Sequence, residues 1–203
     1  MRIRTHTNPL SCIKHFEKLD AVSVFSKFNG KIDFEVGFGQ SSFIINHALE
    51  NNDQLVVGID VRKKTVDLMQ ERVNQNNIKN IYLTHGNGSV CLAEMFENES
   101  LDNIFIFHPD PWRKARHHKR RLINQDFLAI VQTKLKKDGK VYVSTDVDFL
   151  WLEIVQTFDA NAKFTRFEDS EFWTNYYQTR WNEISKEKNR QTFFATFCLK
   201  NKF

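Results

Sequence analysis

An acid lies between two prolines in His108-Pro109-Asp110-Pro111-Trp112. Flanking prolines restrict the backbone on both sides of Asp110 and hold its carboxylate in place. Trp112 adds a flat aromatic face of the kind on which nucleobases stack. The next nine residues, 113–121, read RKARHHKRR, with six Lys or Arg, two His and no acid. The whole chain has 29 basic and 25 acidic residues, a net charge of +4; taking six from 29 leaves 23 basic against 25 acidic, a net of −2. All of the positive excess therefore sits in one short stretch. Solvated faces mix signs, whereas a single-sign cluster suits a polyanion, most commonly a nucleic acid. Arg113, Arg116, Lys119, Arg120 and Arg121 are the expected phosphate contacts. A held carboxylate, a stacking ring and a phosphate-binding stretch together fit nucleotide chemistry on RNA or DNA.

A second group points to a small molecule. Glu35-Val36-Gly37-Phe38-Gly39 is a turn whose glycines let backbone approach a ligand closely. Asp60 follows 21 residues after Gly39, where a carboxylate can accept from ribose hydroxyls. A dinucleotide fingerprint wants a third glycine at position 42, which is Ser42. Glu35 would repel a pyrophosphate but pair with a cationic ligand. S-adenosyl-L-methionine carries a sulfonium and an ammonium and no phosphate, so the turn favours a methyltransferase over a nicotinamide-dependent oxidoreductase.

The elements that must position these groups alternate. Strands are expected at 31–37, 55–60, 80–84, 101–107, 140–145 and 191–199, with a weaker one at 162–167. Helical spacing occupies about 42–50, 66–76, 90–96, 123–135 and 149–158, the fourth stopped by Asp138-Gly139. A short helix is expected around Ile13, Phe16 and Leu19, while 169–188 is polar, aromatic and unpatterned; its rings read as a packing cluster. This alternation implies a doubly wound, mostly parallel α/β sheet, with ligands beyond the carboxyl ends of its strands.

The length of 203 residues predicts a single domain over 1–203, with 1–30 of uncertain structure. No apolar run reaches the roughly 20 residues of a membrane helix, and MRIRTHTNPL lacks the apolar core of a signal peptide. Cys12, Cys91 and Cys198 lie far apart without CxxC spacing, as expected of reduced thiols in the cytoplasm. His117 and His118 are adjacent, so they diverge on a helix or a strand, and no metal site is expected.

HPDPWRKARHHKRRL (108–122) resembles the signature of the bacterial tRNA (guanine-N7-)-methyltransferases. FEVGFG (34–39), GID (58–60) and STD (144–146) fall where that family has its cofactor turn, ribose acid and Thr-Asp pair. The resemblance covers about residues 31–199. It implies the seven-stranded class I methyltransferase fold, Rossmann-like with helices on both faces. It further implies S-adenosyl-L-methionine as cofactor and methylation of N7 of a guanine in the variable region of tRNA. Glu35, Asp60, Asn87 and Asp110 would line the cofactor, Asp110 being also the proposed catalytic residue. Lys114 and Asp146 would contact the substrate.

Two departures stand out. The family usually has Asp at Asn87, where an amide could still meet the adenine edge with weakened or retuned binding. The family's late Thr-Lys/Arg-aromatic-Glu motif, which contacts the substrate guanosine, falls by spacing back from Arg190 at Thr179-Arg180-Trp181-Asn182, so the resemblance implies substrate contacts at Thr179, Arg180 and Asn182, with Asn for Glu. A literal match, Thr165-Arg166-Phe167-Glu168, lies in the stretch that alternates like a strand. These departures leave open a non-catalytic RNA-binding subunit on the same fold. A monomer or homodimer is expected.

Overall fold

The computed structural model describes residues 7–12 and 14–200. In chain order the elements are α1 (Ala21–Val24), β1 (Ile32–Val36), α2 (Phe43–Glu50), β2 (Leu55–Asp60), α3 (Lys63–Gln75), β3 (Ile81–His85), α4 (Gly88–Met95) and β4 (Leu101–Phe107). They continue with α5 (Gln125–Lys134), β5 (Leu135–Thr145), α6 (Asp148–Asp159), β6 (Phe164–Phe167), α7 (Arg180–Glu187) and β7 (Phe193–Leu199). Short 3-10 turns form at Pro9–Ser11 and Ala115–Arg120, and one π-helical turn at Phe172–Tyr176.

The strands form one seven-stranded sheet in the order β3-β2-β1-β4-β5-β7-β6. β1, β2, β3, β4 and β5 pair in parallel, whereas β7 runs antiparallel between β5 and β6. Alternation along β4 shows why both faces are covered. Ile104 and Ile106 join the large core beneath α4, α5 and α6, and Phe105 and Phe107 join an aromatic cluster with Phe43, Tyr142, Phe172, Trp173 and Tyr177. Each fully buried side chain of this size contributes about 1.5–3 kcal/mol through loss of water contact. Chain order reverses between β1 and β4, which leaves the crevice where doubly wound sheets bind ligands.

Two sequence expectations give way. Residues 14–20 are not helical, and Ile13 lies outside the described residues. The Phe16 N–H donates to Glu94 at 2.8 Å and the Leu19 N–H to the Met95 carbonyl at 2.9 Å, so α4 satisfies the backbone that a local helix would have used. α5 ends at Lys134, ahead of Asp138-Gly139, because Leu135 already pairs with Leu101 in the sheet. No described helix is long and apolar enough to cross a membrane.

Candidate active site

A cleft of about 440 Å³ opens beyond the carboxyl ends of β1, β2, β3 and β4. Gly37, Asp60, Asn87, Asp110, Lys119 and Arg120 are among its lining residues. Gly37 and Gly39 have φ of +79° and +58°, the left-handed region that side chains disfavour, so the turn needs glycine. A Cβ at Gly37 would meet no atom within 4 Å, leaving an open cradle at the cleft wall.

Glu35 lies in β1 just below the turn. It is 1% exposed, and its Oε2 has no hydrogen-bond partner among the described residues. Burial, and next the charge of Asp60, push its carboxyl up to about 8. A buried acid with one oxygen unpartnered beneath an open cradle fits a cationic ligand.

Asp60 ends β2 and is saturated. Its Oδ2 accepts from the Gly39 N–H at 3.1 Å and Arg62 Nη2 at 3.0 Å, and its Oδ1 from the Arg62 N–H at 2.9 Å and Nε at 3.0 Å. The first bond explains the 21-residue spacing, since the acid fixes the glycine turn. Arg62 also feels the charge of Asp110. Sequence reasoning passed over Arg62, although its position two residues after Asp60 was a usable signal.

Asn87 is committed to the protein itself. Its side-chain oxygen caps α4, accepting from the Ser89 N–H at 2.9 Å and the Val90 N–H at 3.4 Å. Its Nδ2 donates to the Pro9 carbonyl at 3.1 Å and draws the segment bearing Thr7, Pro9 and Leu10 over the cleft. An aspartate there could cap the helix but could not hold Pro9.

The basic run divides. Arg113, Lys114, Arg116 and Lys119 are exposed around the 3-10 turn. Arg121 is 7% exposed; it ion-pairs with Glu153, and its Nε donates to the Pro111 carbonyl at 2.9 Å. The expected phosphate contact at Arg121 is therefore replaced by a clasp on the proline loop. The Trp112 ring is buried, with Arg120 5.0 Å over its face and His117 edge-on at 5.7 Å. Base stacking on that ring gives way to internal packing. His117 is shifted down by burial and then by neighbouring cations, and it accepts from Arg116 Nε at 3.3 Å. No cluster of three His, Cys, Asp or Glu among the described residues is arranged to hold a metal.

Of the expected substrate residues, Asp146 and Thr179 are joined through His108 and Tyr177, whereas Lys114 stands apart at the 3-10 turn. Asp146 accepts from Ser185 Oγ at 3.1 Å and Arg190 Nη1 at 3.2 Å, and pairs with His108 Nδ1 at 3.4 Å. The hydrogen bond with His108 is the main reason its carboxyl lies well below the usual range. Thr179 caps α7 through the Asn182 N–H at 3.1 Å, and Asn182 Oδ1 accepts from Thr192 at 3.2 Å. Arg180 is exposed and donates to Gln40, beside the glycine turn, at 3.2 Å. The literal motif match at 165–168 falls largely in β6, at the sheet edge. The rings of 172–177 pack against β4 and β5 as a cluster.

Fold and cleft together define a doubly wound protein with a nucleotide-type ligand site at its switch point. The family model Methyltransf_4, described as "Putative methyltransferase", matches residues 29–194, and the chain belongs to that family. It is similar to a tRNA (guanine-N(7)-)-methyltransferase of Prochlorococcus marinus (strain MIT 9215), with 30% identity over 199 residues, 94% of this chain and 92% of that one. A bifunctional methyltransferase of Rickettsia typhi is 31% identical over 173 residues, 84% of this chain and 33% of that longer one. Among solved structures, a 30S ribosomal A1408 methyltransferase from an uncultured bacterium shares the fold. Its TM-score is 0.57 at 15% identity, covering 92% of this chain and 96% of that one.

Proposed function

We propose that this protein is a tRNA (guanine-N7-)-methyltransferase that uses S-adenosyl-L-methionine. The observation that carries the reading is the juxtaposition, in one cleft, of the Gly37 cradle, Asp60 and Asp110 beside the exposed cations of 113–119. Full-length similarity to a relative of that name supports the substrate class. When bound, the cofactor supplies an electrophilic methyl whose bond to sulfur breaks, the electron pair staying on sulfur, as the lone pair of guanine N7 forms the new bond.

No proton has to leave N7 before it attacks, so the residues act by position and charge. Glu35 lies where its ionised form offsets positive charge. Asp60 would accept from ribose hydroxyls once Arg62, whose side chain is 41% exposed, turns away from it. Asp110 would accept from the N1–H and N2–H₂ edge of guanine and favour the cationic character that grows on the purine. Arg113, Lys114, Arg116 and Lys119, with Arg120 at the cleft wall, would meet tRNA phosphates. Arg180 would approach the substrate from α7. A cytoplasmic location follows from this substrate. Incubation with unmodified tRNA transcript and methyl-labelled cofactor tests the reading. Label is expected in the RNA, and its absence from a folded, cofactor-binding protein overturns the reaction.

A further inference from the structure

His108 and Trp112, the two ends of the Pro-Asp-Pro loop, both sit in left-handed backbone at φ of +49° and +40°. Non-glycine residues seldom adopt that region, and here surrounding groups hold both. At the far end the imposing group is Arg121, through the Pro111 and Trp112 carbonyls. At the near end the His108 N–H donates to the Ser144 carbonyl at 2.8 Å, and its buried ring supplies the rest.

That ring joins the loop to the segment carrying α7. His108 Nε2 lies 2.9 Å from the Tyr177 hydroxyl, and Nδ1 faces Asp146. Tyr177 also meets Ser144 Oγ at 2.7 Å and Thr179 Oγ1 at 3.4 Å. The bonds close consistently when Nδ1–H donates to Asp146, the Tyr177 hydroxyl donates to Nε2, and Ser144 donates to Tyr177. Asp146 is bound in turn by Ser185 and Arg190, on and just beyond α7. Arg180, Lys186, Lys188 and Arg190 are exposed cations of this segment, and of these Arg190 is bonded to Asp146.

We propose that His108 is a positioning residue: through Tyr177 and Asp146 it couples the placement of the segment 177–190 to the placement of Asp110, two residues away. RNA engaging Arg180 or Arg190 then sets the loop in its reactive position, and the segment stays in register only while the loop is correct. Asp146 and Thr179 serve the substrate from behind, without having to touch it. This rests on the reading of the reaction above.

The test is a cycle of His108→Phe, Tyr177→Phe and their combination in the full-length protein. Cofactor affinity, kcat and KM for tRNA transcript are measured beside the melting curve. Each single variant is expected to keep cofactor affinity within about twofold and to lose about 10- to 100-fold in kcat, the scale of a reacting group moved by an ångström. The double variant should lose no more than the worse single one, because both cut the same link. His108→Gln, which can again accept from Tyr177, should recover part of the rate. Losses that multiply, an unchanged kcat in folded variants, or a kcat loss equal to the loss of cofactor binding would each overturn the coupling. A wild-type protein that binds cofactor but does not methylate tRNA would instead overturn the parent reading, and the coupling with it.

Discussion

Glu35 is held against its own solvation. It keeps its proton in the fold up to about pH 8, whereas the unfolded chain releases it near 4.5. The fold therefore loses stability as pH rises from 4.5 to 8, and the loss levels off above 8. Glu35→Gln removes that dependence. Even with a buried amide left imperfectly paired, it is expected to gain about 1–3 kcal/mol at pH 8–9 in urea unfolding. Cofactor affinity should move the opposite way. A cationic ligand selects ionised Glu35, so wild-type binding should strengthen as pH rises toward 8 with release of a proton. Glu35→Gln should bind weakly at every pH. Calorimetry in buffers of different ionisation enthalpy reads both effects.

Asp110→Asn should leave the fold intact and cut methyl transfer by about 10²–10³, since the amide presents an N–H₂ where guanine needs a second acceptor. A rate loss no larger than the loss of cofactor affinity would reassign Asp110 to the cofactor alone. Single residues were only partly legible in the sequence. Asp60 and Gly39 stood at a spacing that their hydrogen bond explains, but the same spacing could not reveal that Arg62 saturates the acid. Arg121 looked like its neighbours because charge in a sequence says nothing of which guanidinium turns inward.

Among the elements, the 3-10 turn Ala115–Arg120 and the stretch leading into it expose the basic side chains. Replacing Arg113, Arg116 and Lys119 with Ala should weaken tRNA binding and flatten its salt dependence, by up to about 0.7–0.9 log units per lost phosphate contact. Cofactor affinity should not change; an unaltered salt slope would make the stretch an ordinary solvated surface. The N-terminal segment is an element that periodicity could not find, because its order comes from α4 and Asn87 and not from itself. Asn87→Asp keeps the cap of α4 and loses the donor to Pro9. Hydrogen exchange over residues 7–12 is expected to speed up while α4 stays protected; unchanged exchange would mean that the amide does not hold the segment. α7 was equally hidden. Its polar sequence is docked by Asp146 and capped by Thr179, both read beforehand only as substrate contacts.

At the scale of the molecule, the sheet was the most readable part. A strand buried on both faces is a nearly continuous apolar run, so 55–60 could be bounded to the residue as β2, and the apolar stretch ending at Phe107 marked β4 at 101–107. The order of the strands and the reversal of β7 depend on pairings between distant segments, which periodicity does not reveal. The cleft at the switch point then gathers residues spread from Thr7 to Ile130, and its effect on RNA is the decisive readout. N7-methylation makes a purine base labile, so borohydride reduction followed by aniline cleaves tRNA at the modified nucleotide. After incubation with the protein and S-adenosyl-L-methionine, an unmodified transcript is expected to break at a single guanine in the variable region, and not to break with the Asp110→Asn protein over the same time. Label incorporated without scission, or scission spread over many guanines, would rule out N7-methylation at one site of the variable region.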